Sequence, residues 1–118
     1  MIFVVDDDPA VRDSLRILFE AMGHSVEEFP SAATFLAGAV FGGNDCVVVV
    51  DIHMPGMTGI ELLEHLRGAG NQVPVILVTG QPSPAMAARA QAAGAYAMLE
   101  KPFESAEILR LVERATKA

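Results

Sequence analysis

Asp6, Asp7, Asp51, Thr79 and Lys101 are the residues of this chain whose types and positions could do chemistry together. Each stands at the end of an apolar run. Asp6 and Asp7 close Ile2 to Val5, Asp51 closes Val47 to Val50, Thr79 closes Val73 to Val78, and Lys101 comes just after Tyr96 to Leu99. Three carboxylates within a few Å of one another repel by several kcal/mol at an effective dielectric of about 20, and a cation among them removes that cost. Oxygen ligands without a Cys or His side chain favour Mg²⁺ over zinc, with waters completing its octahedron. Thr79 adds a hydroxyl donor and Lys101 a mobile ammonium. A carboxylate with those neighbours can attack a phosphoryl group, whose charged oxygens the cation and Lys101 would neutralise. Taken singly, each residue has an ordinary role: an aspartate before a proline caps a helix (the role assigned to Asp8), Thr79 ends a strand, and Lys101 is a solvated charge. Joint placement at four strand ends is what argues for a site.

The elements that must position these groups can be read in order. Cys46 to Val50 is a continuous apolar run without alternation, the pattern of a strand buried on both faces, and Pro55-Gly56 turns the chain after it. Ile2 to Val5 reads as a first buried strand. Asp8-Pro9 then starts a helix with Val11, Leu15, Leu18 and Met22 on one face, stopped by Gly23. His24 to Phe29 is a short strand nearer an edge, and Ser31 caps a helix carrying Ala32, Phe35, Leu36 and Ala39. The turn cluster Gly42-Gly43-Asn44-Asp45 leads into the central strand. Thr58-Gly59-Ile60-Glu61 is a capping box for a helix with Ile60, Leu63 and Leu66 inward, ended by Gly68 to Gly70. Val73 to Val78 and Tyr96 to Leu99 are further strands, separated by an alanine-rich helix from Ser83-Pro84 to Gly94. The last helix begins near Ser105 and turns Ile108, Leu111, Val112 and Ala115 inward, with acids early and the bases Arg110, Arg114 and Lys117 late, as the helix dipole favours.

Five strand–helix units with short connections predict an α/β fold: a five-stranded parallel sheet in a three-layer α/β/α arrangement with five helices. The flavodoxin-like, CheY-like order 2-1-3-4-5 is the natural one for five units. It sets the first and third strands side by side at the switch point, where ligands bind beyond the carboxyl ends of the strands. The acids after Val5 would there meet Asp51.

Totals narrow the function classes. The 118 residues suit one domain, 1–118, and 52% apolar with 19% charged residues supports a core rather than disorder. A net charge of −7 with no basic run argues against direct nucleic-acid binding. Cys46 is alone, so no internal disulfide forms, and it reads as a small buried strand residue. No run approaches the roughly 20 apolar residues that span a bilayer, and the start lacks a signal-peptide pattern. The expectation is a cytoplasmic protein with no membrane contact.

Asp6-Asp7, Asp51-Ile52-His53-Met54-Pro55-Gly56-Met57-Thr58-Gly59, Thr79-Gly80 and Lys101-Pro102-Phe103 resemble, in order and spacing, the motifs of receiver domains from bacterial two-component response regulators. The resemblance covers essentially the whole chain. It implies phosphorylation of Asp51 by a sensor histidine kinase or a histidine phosphotransfer protein. It implies Mg²⁺ held by Asp7, Asp51 and the backbone carbonyl of His53, with Asp6 acting through a coordinated water. It implies that Thr79 turns to bond a phosphoryl oxygen, that Lys101-Pro102 is a cis peptide, and that the face of the fourth helix, fifth strand and fifth helix changes to control an output domain, a partner or a dimer. His53 and Gln81, two residues beyond Asp51 and Thr79, stand where the family flanks the water that attacks the phosphoryl bond. Changing either should alter dephosphorylation more than phosphorylation. The chain departs from the family at the switch position, where Met98 replaces an aromatic. Either Met98 serves as a flexible substitute or Tyr96, two residues earlier and on the same side by the period-two rule, takes the role; filling a partner surface is the plainer role for both. His24 and His65 read as surface residues.

Two other classes compete. A hydrolase forming an aspartyl-phosphate needs a second acid two residues past the nucleophile and a substrate cap; His53 occupies that position and no cap insertion exists. A degenerate receiver that only binds protein is opposed by the intact Asp7, Asp51, Thr79 and Lys101. The expected module is thus a phosphoacceptor that catalyses only its own phosphorylation and dephosphorylation. It would be a stand-alone regulator or the receiver of a longer transcription factor or hybrid kinase, and its Asp8-Pro9 opening and Thr79-Gly80 pair resemble receivers that regulate transcription.

Overall fold

Val47–Asp51 is buried at every position, so helices must cover both sides of the sheet that contains it. The computed structural model describes residues 1–42 and 45–117, with residue 117 as backbone only. Gly43 and Asn44 of the expected turn cluster, and the Lys117 side chain, lie outside the described residues. In chain order the elements are β1 (Ile2–Val5), α1 (Pro9–Ala21), β2 (Val26–Phe29), α2 (Ala32–Gly38), β3 (Val47–Asp51), α3 (Gly59–Gly68), β4 (Val75–Thr79), α4 (Pro84–Ala92), β5 (Ala97–Glu100) and α5 (Ser105–Lys117). Among the described residues the strands form one parallel sheet in the order β2-β1-β3-β4-β5. That is the flavodoxin-like order expected from the strand–helix alternation.

Alternation along the buried strands divides the core in two. On one face Phe3, Val5, Val48, Val50 and Leu77 meet Phe35 of α2, Leu63 and Leu66 of α3 and Ala90 of α4. On the other, Ile2, Val4, Val47, Val49 and Ile76 meet Leu15 and Phe19 of α1 and Ile108, Val112 and Ala115 of α5. Each large apolar side chain so buried contributes about 1.5–3 kcal/mol. Cys46 is buried just before β3.

Helix starts follow the predicted caps. Asp8 accepts from the Ala10 amide, Thr58 and Glu61 form a reciprocal capping box, and Ser83 accepts from the Met86 amide ahead of α4. Ser31 and Thr34 make a second capping box at α2. Each cap is worth about 1 kcal/mol.

The inward face of α1 follows the sequence reading at Leu15, with Val11 and Leu18 packed against the same core, and departs from it only at Met22. Leu15 and Phe19 are buried, whereas Met22 is 55% exposed. The helix ends at Ala21 with Met22 at its C-cap, and Gly23 at φ 89° carries the chain away. Leu36 and Leu111 are also only partly covered. His24 is drawn in rather than left at the surface: its Nε2 lies 2.9 Å from Glu113 Oε1 of α5. His65 is exposed, as expected.

Candidate functional site

Parallel register builds the site. Val5 pairs with Val50, so the next residue of each strand, Asp6 and Asp51, leaves the sheet side by side. Oxygens of Asp6, Asp7 and Asp51 lie within 4.8 Å of one another. Lys101 enters from beyond β5, its amide donating to the Thr79 carbonyl at 2.7 Å. Its Nζ stands 3.5 Å from Asp51 Oδ2 and 3.8 Å from Asp6 Oδ2. The peptide bond between Lys101 and Pro102 is cis.

Asp51 is set back more than a strand-end carboxylate in the sequence suggests: it is 8% exposed and Asp6 4%, while Asp7 is open to solvent. Burial foremost, and then the neighbouring Asp51 charge, hold the Asp6 carboxyl above its ordinary range; the Asp8 amide hydrogen bond and Lys101 offset part of this. An acidic cluster in this state fits a bound cation, which would relieve the repulsion that Lys101 alone leaves. Hard carboxylate oxygens suit an oxygen-seeking metal ion. The His53 ring takes no place among these oxygens. Its Nε2 lies 3.0 Å from Thr79 Oγ1, and its amide donates to Asp51 Oδ1 at 3.2 Å. Thr79 is fully buried, and its hydroxyl also accepts from the Gln81 amide at 3.0 Å.

Three contributors escaped the sequence reading in these roles. Arg12 Nη1 donates to the Asp6 carbonyl at 2.5 Å, and its Nε lies 3.7 Å from Glu28 Oε1, clamping the loop that carries the acids. An arginine among acids on an amphipathic helix gives no sequence signal for that contact. Gly59 is the second: a Cβ there would stand 2.6 Å from the Asp51 carbonyl oxygen, so only glycine lets α3 start against the end of β3. Its place inside the capping box concealed this need. The third is the His53–Thr79 contact, which joins residues 26 apart in sequence.

At the expected switch position Met98 packs, partly buried, against the α2–α3–α4 side of the core. Tyr96 precedes β5 and is 39% exposed.

Residues 2–113 match the family described as the response regulator receiver domain. The chain belongs to that family. It is 42% identical over 111 residues to the transcriptional regulatory protein FixJ of Azorhizobium caulinodans, covering 94% of this chain and 52% of that protein. In three dimensions it resembles the response regulator StyR with a TM-score of 0.90 at 40% identity, covering 98% of this chain and 58% of that one. It resembles the crystal structure of FixJ-N with a TM-score of 0.87 at 39% identity, covering 98% and 92% of the two chains. The chain spans about half the length of the curated relatives it matches. As a receiver domain it is a regulatory module of phosphorylation-controlled signalling. Among the described residues no helix is long and apolar enough to cross a membrane.

Proposed function

We propose that residues 1–118 form one receiver domain in which Asp51 accepts a phosphoryl group from a sensor histidine kinase or a histidine phosphotransfer protein. One observation carries this reading: oxygens of Asp51, Asp6 and Asp7 lie within 4.8 Å of one another while the Lys101 ammonium stands 3.5 Å from Asp51 Oδ2. An Asp51 oxygen attacks phosphorus, the bond from phosphorus to the donor's imidazole nitrogen breaks, and the leaving imidazole takes a proton from solvent. Lys101 balances negative charge on the transferring group's oxygens. Thr79 donates its hydroxyl to one of those oxygens once the group is in place.

Asp7, Asp51 and the His53 carbonyl would hold Mg²⁺, with Asp6 acting through a bound water. The ion supplies charge neutralisation at the transferring phosphoryl oxygens. Asp6 and Lys101 set the charge balance around Asp51, and Arg12 keeps the Asp6 loop in position.

Hydrolysis of the acyl phosphate at the same site resets the domain, and His53 and Gln81 flank the attacking water. The output is a shift of the face formed by α4, β5 and α5, with Met98 as the group that can move inward; that face is also where a dimer or an output domain beyond residue 118 would engage. Relatives named as transcriptional regulators support transcription control as the output. A reducing, cytoplasmic setting suits the lone buried Cys46 thiol.

The test is incubation with a small-molecule phosphodonor and Mg²⁺, followed by mass mapping of the phosphate. Uptake on Asp51, lost in Asp51→Asn and without Mg²⁺, is the expected result. Uptake elsewhere, or none in the unsubstituted chain, overturns the assignment.

A further inference from the structure

We propose that His53 is a positioning residue that holds the Thr79 hydroxyl in the resting domain and must release it before Thr79 can serve a phosphoryl group on Asp51. This rests on the assignment of Asp51 as phosphoacceptor. Thr79 Oγ1 is fully buried and has two partners among the described residues, the Gln81 amide and His53 Nε2, each at 3.0 Å. Neither Asp51 oxygen is among them. The hydroxyl accepts from the Gln81 amide, and in the tautomer that leaves His53 Nε2 without a proton it donates its own proton to that ring nitrogen. A hydroxyl committed in this way cannot donate to a new oxygen anion without breaking that bond.

The His53 backbone is anchored to the acceptor itself, because its amide donates to Asp51 Oδ1. The same residue therefore touches the group that is modified and the group that answers the modification. The ring also has somewhere to go. It lines a cavity of about 300 Å³ between α3 and α4, with Thr58, Met86 and Arg89 among the other walls. His53 is exposed, so its ring can turn toward that space without disturbing the core.

Breaking one neutral hydrogen bond shifts an equilibrium by about fivefold, and removing the bond in advance should return that factor to whatever binds the switched state. The probe is beryllofluoride with Mg²⁺, a stand-in for the phosphoryl group, titrated by calorimetry and followed by fluorine NMR. His53→Asn is too short to reach Thr79 and should bind the probe about fivefold more tightly than the unsubstituted chain. His53→Gln places its terminal amide near the position of Nε2 and should stay close to the unsubstituted affinity. In a Thr79→Ala background the difference between His53 and Asn at that position should vanish.

Equal affinity of His53→Asn and the parent, weaker binding by His53→Asn, or a gain that persists in Thr79→Ala each overturns the latch. Failure of the assignment beneath it looks different: the parent chain would then bind no beryllofluoride, or Asp51→Asn would bind it equally well.

Discussion

Replacing Asp51 by asparagine should make the metal-free domain more stable while ending its response to Mg²⁺. The oxygens of Asp6, Asp7 and Asp51 lie within 4.8 Å of one another, and each pair of charges at that separation repels by about 3.5 kcal/mol at a dielectric of about 20. Asp51 faces two such neighbours and one opposite charge, the Lys101 ammonium at 3.5 Å. On the same scale that attraction is about 4.7 kcal/mol. Deleting the Asp51 charge thus removes more repulsion than attraction. Asp7 is exposed and the Lys101 side chain is 31% exposed, so screening brings the net gain down to about 1 kcal/mol. Asparagine keeps an oxygen for the His53 amide, so the local fold is retained. For a domain of this size such a gain raises the unfolding midpoint by about 4 °C. Thermal and urea unfolding in the presence of a chelator measure it. Saturating Mg²⁺ should then reverse the order, because a ligand at 100 times its Kd adds about 2.7 kcal/mol to the chain that binds it. If Asp51→Asn melts below the parent in chelator, Lys101 over-compensates the acids and the charge argument is refuted.

Other outcomes follow from the same geometry. The Asp6 carboxyl is raised above 3.8, chiefly by burial, so the folded state binds more protons there than the unfolded state. Metal-free stability should therefore fall as pH rises through the interval between 3.8 and the raised value, and a pH series of urea midpoints should lose that slope in Asp6→Asn. Arg67 donates to the carbonyls of Asn71, Val73 and Gly94, each at 2.9 Å, tying the end of α3 to the entry of β5. Arg67→Ala should cost about 2 kcal/mol in urea unfolding with phosphoryl uptake per folded molecule unchanged; loss of uptake without loss of stability would contradict that structural role. Gly59→Ala drives a Cβ against the Asp51 carbonyl oxygen and should destabilise by about 1–3 kcal/mol while slowing phosphorylation. Normal stability and normal uptake together would show that α3 can back away from β3 freely.

Much of the fold was legible because one signal is carried at two levels. Val47 to Val50 and Val75 to Val78 are apolar without alternation and can only be strands covered on both faces, and the caps Asp8, Ser31, Thr58 and Ser83 announce the helices between them. Boundaries slipped by a residue or two where the pattern is ambiguous. Tyr96 reads as strand by type, yet β5 begins at Ala97. Met22 has the spacing of the inward face yet is 55% exposed, at the C-cap just before the Gly23 stop.

The sequence by itself determined the chemistry on offer: three carboxylates, a hydroxyl and an ammonium at strand ends, on a chain whose alternation permits one family of sheets. It could do so because strand burial and helix capping depend on neighbours a few positions apart. Only the tertiary structure decided what those groups do to one another. The burial of Asp51, the grip of Arg12 on the Asp6 carbonyl, the Gly59 contact and the seat of the His53 ring against Thr79 are relations between separate elements. Such relations arise only when separate strands and helices are packed, and local sequence carries no term for them.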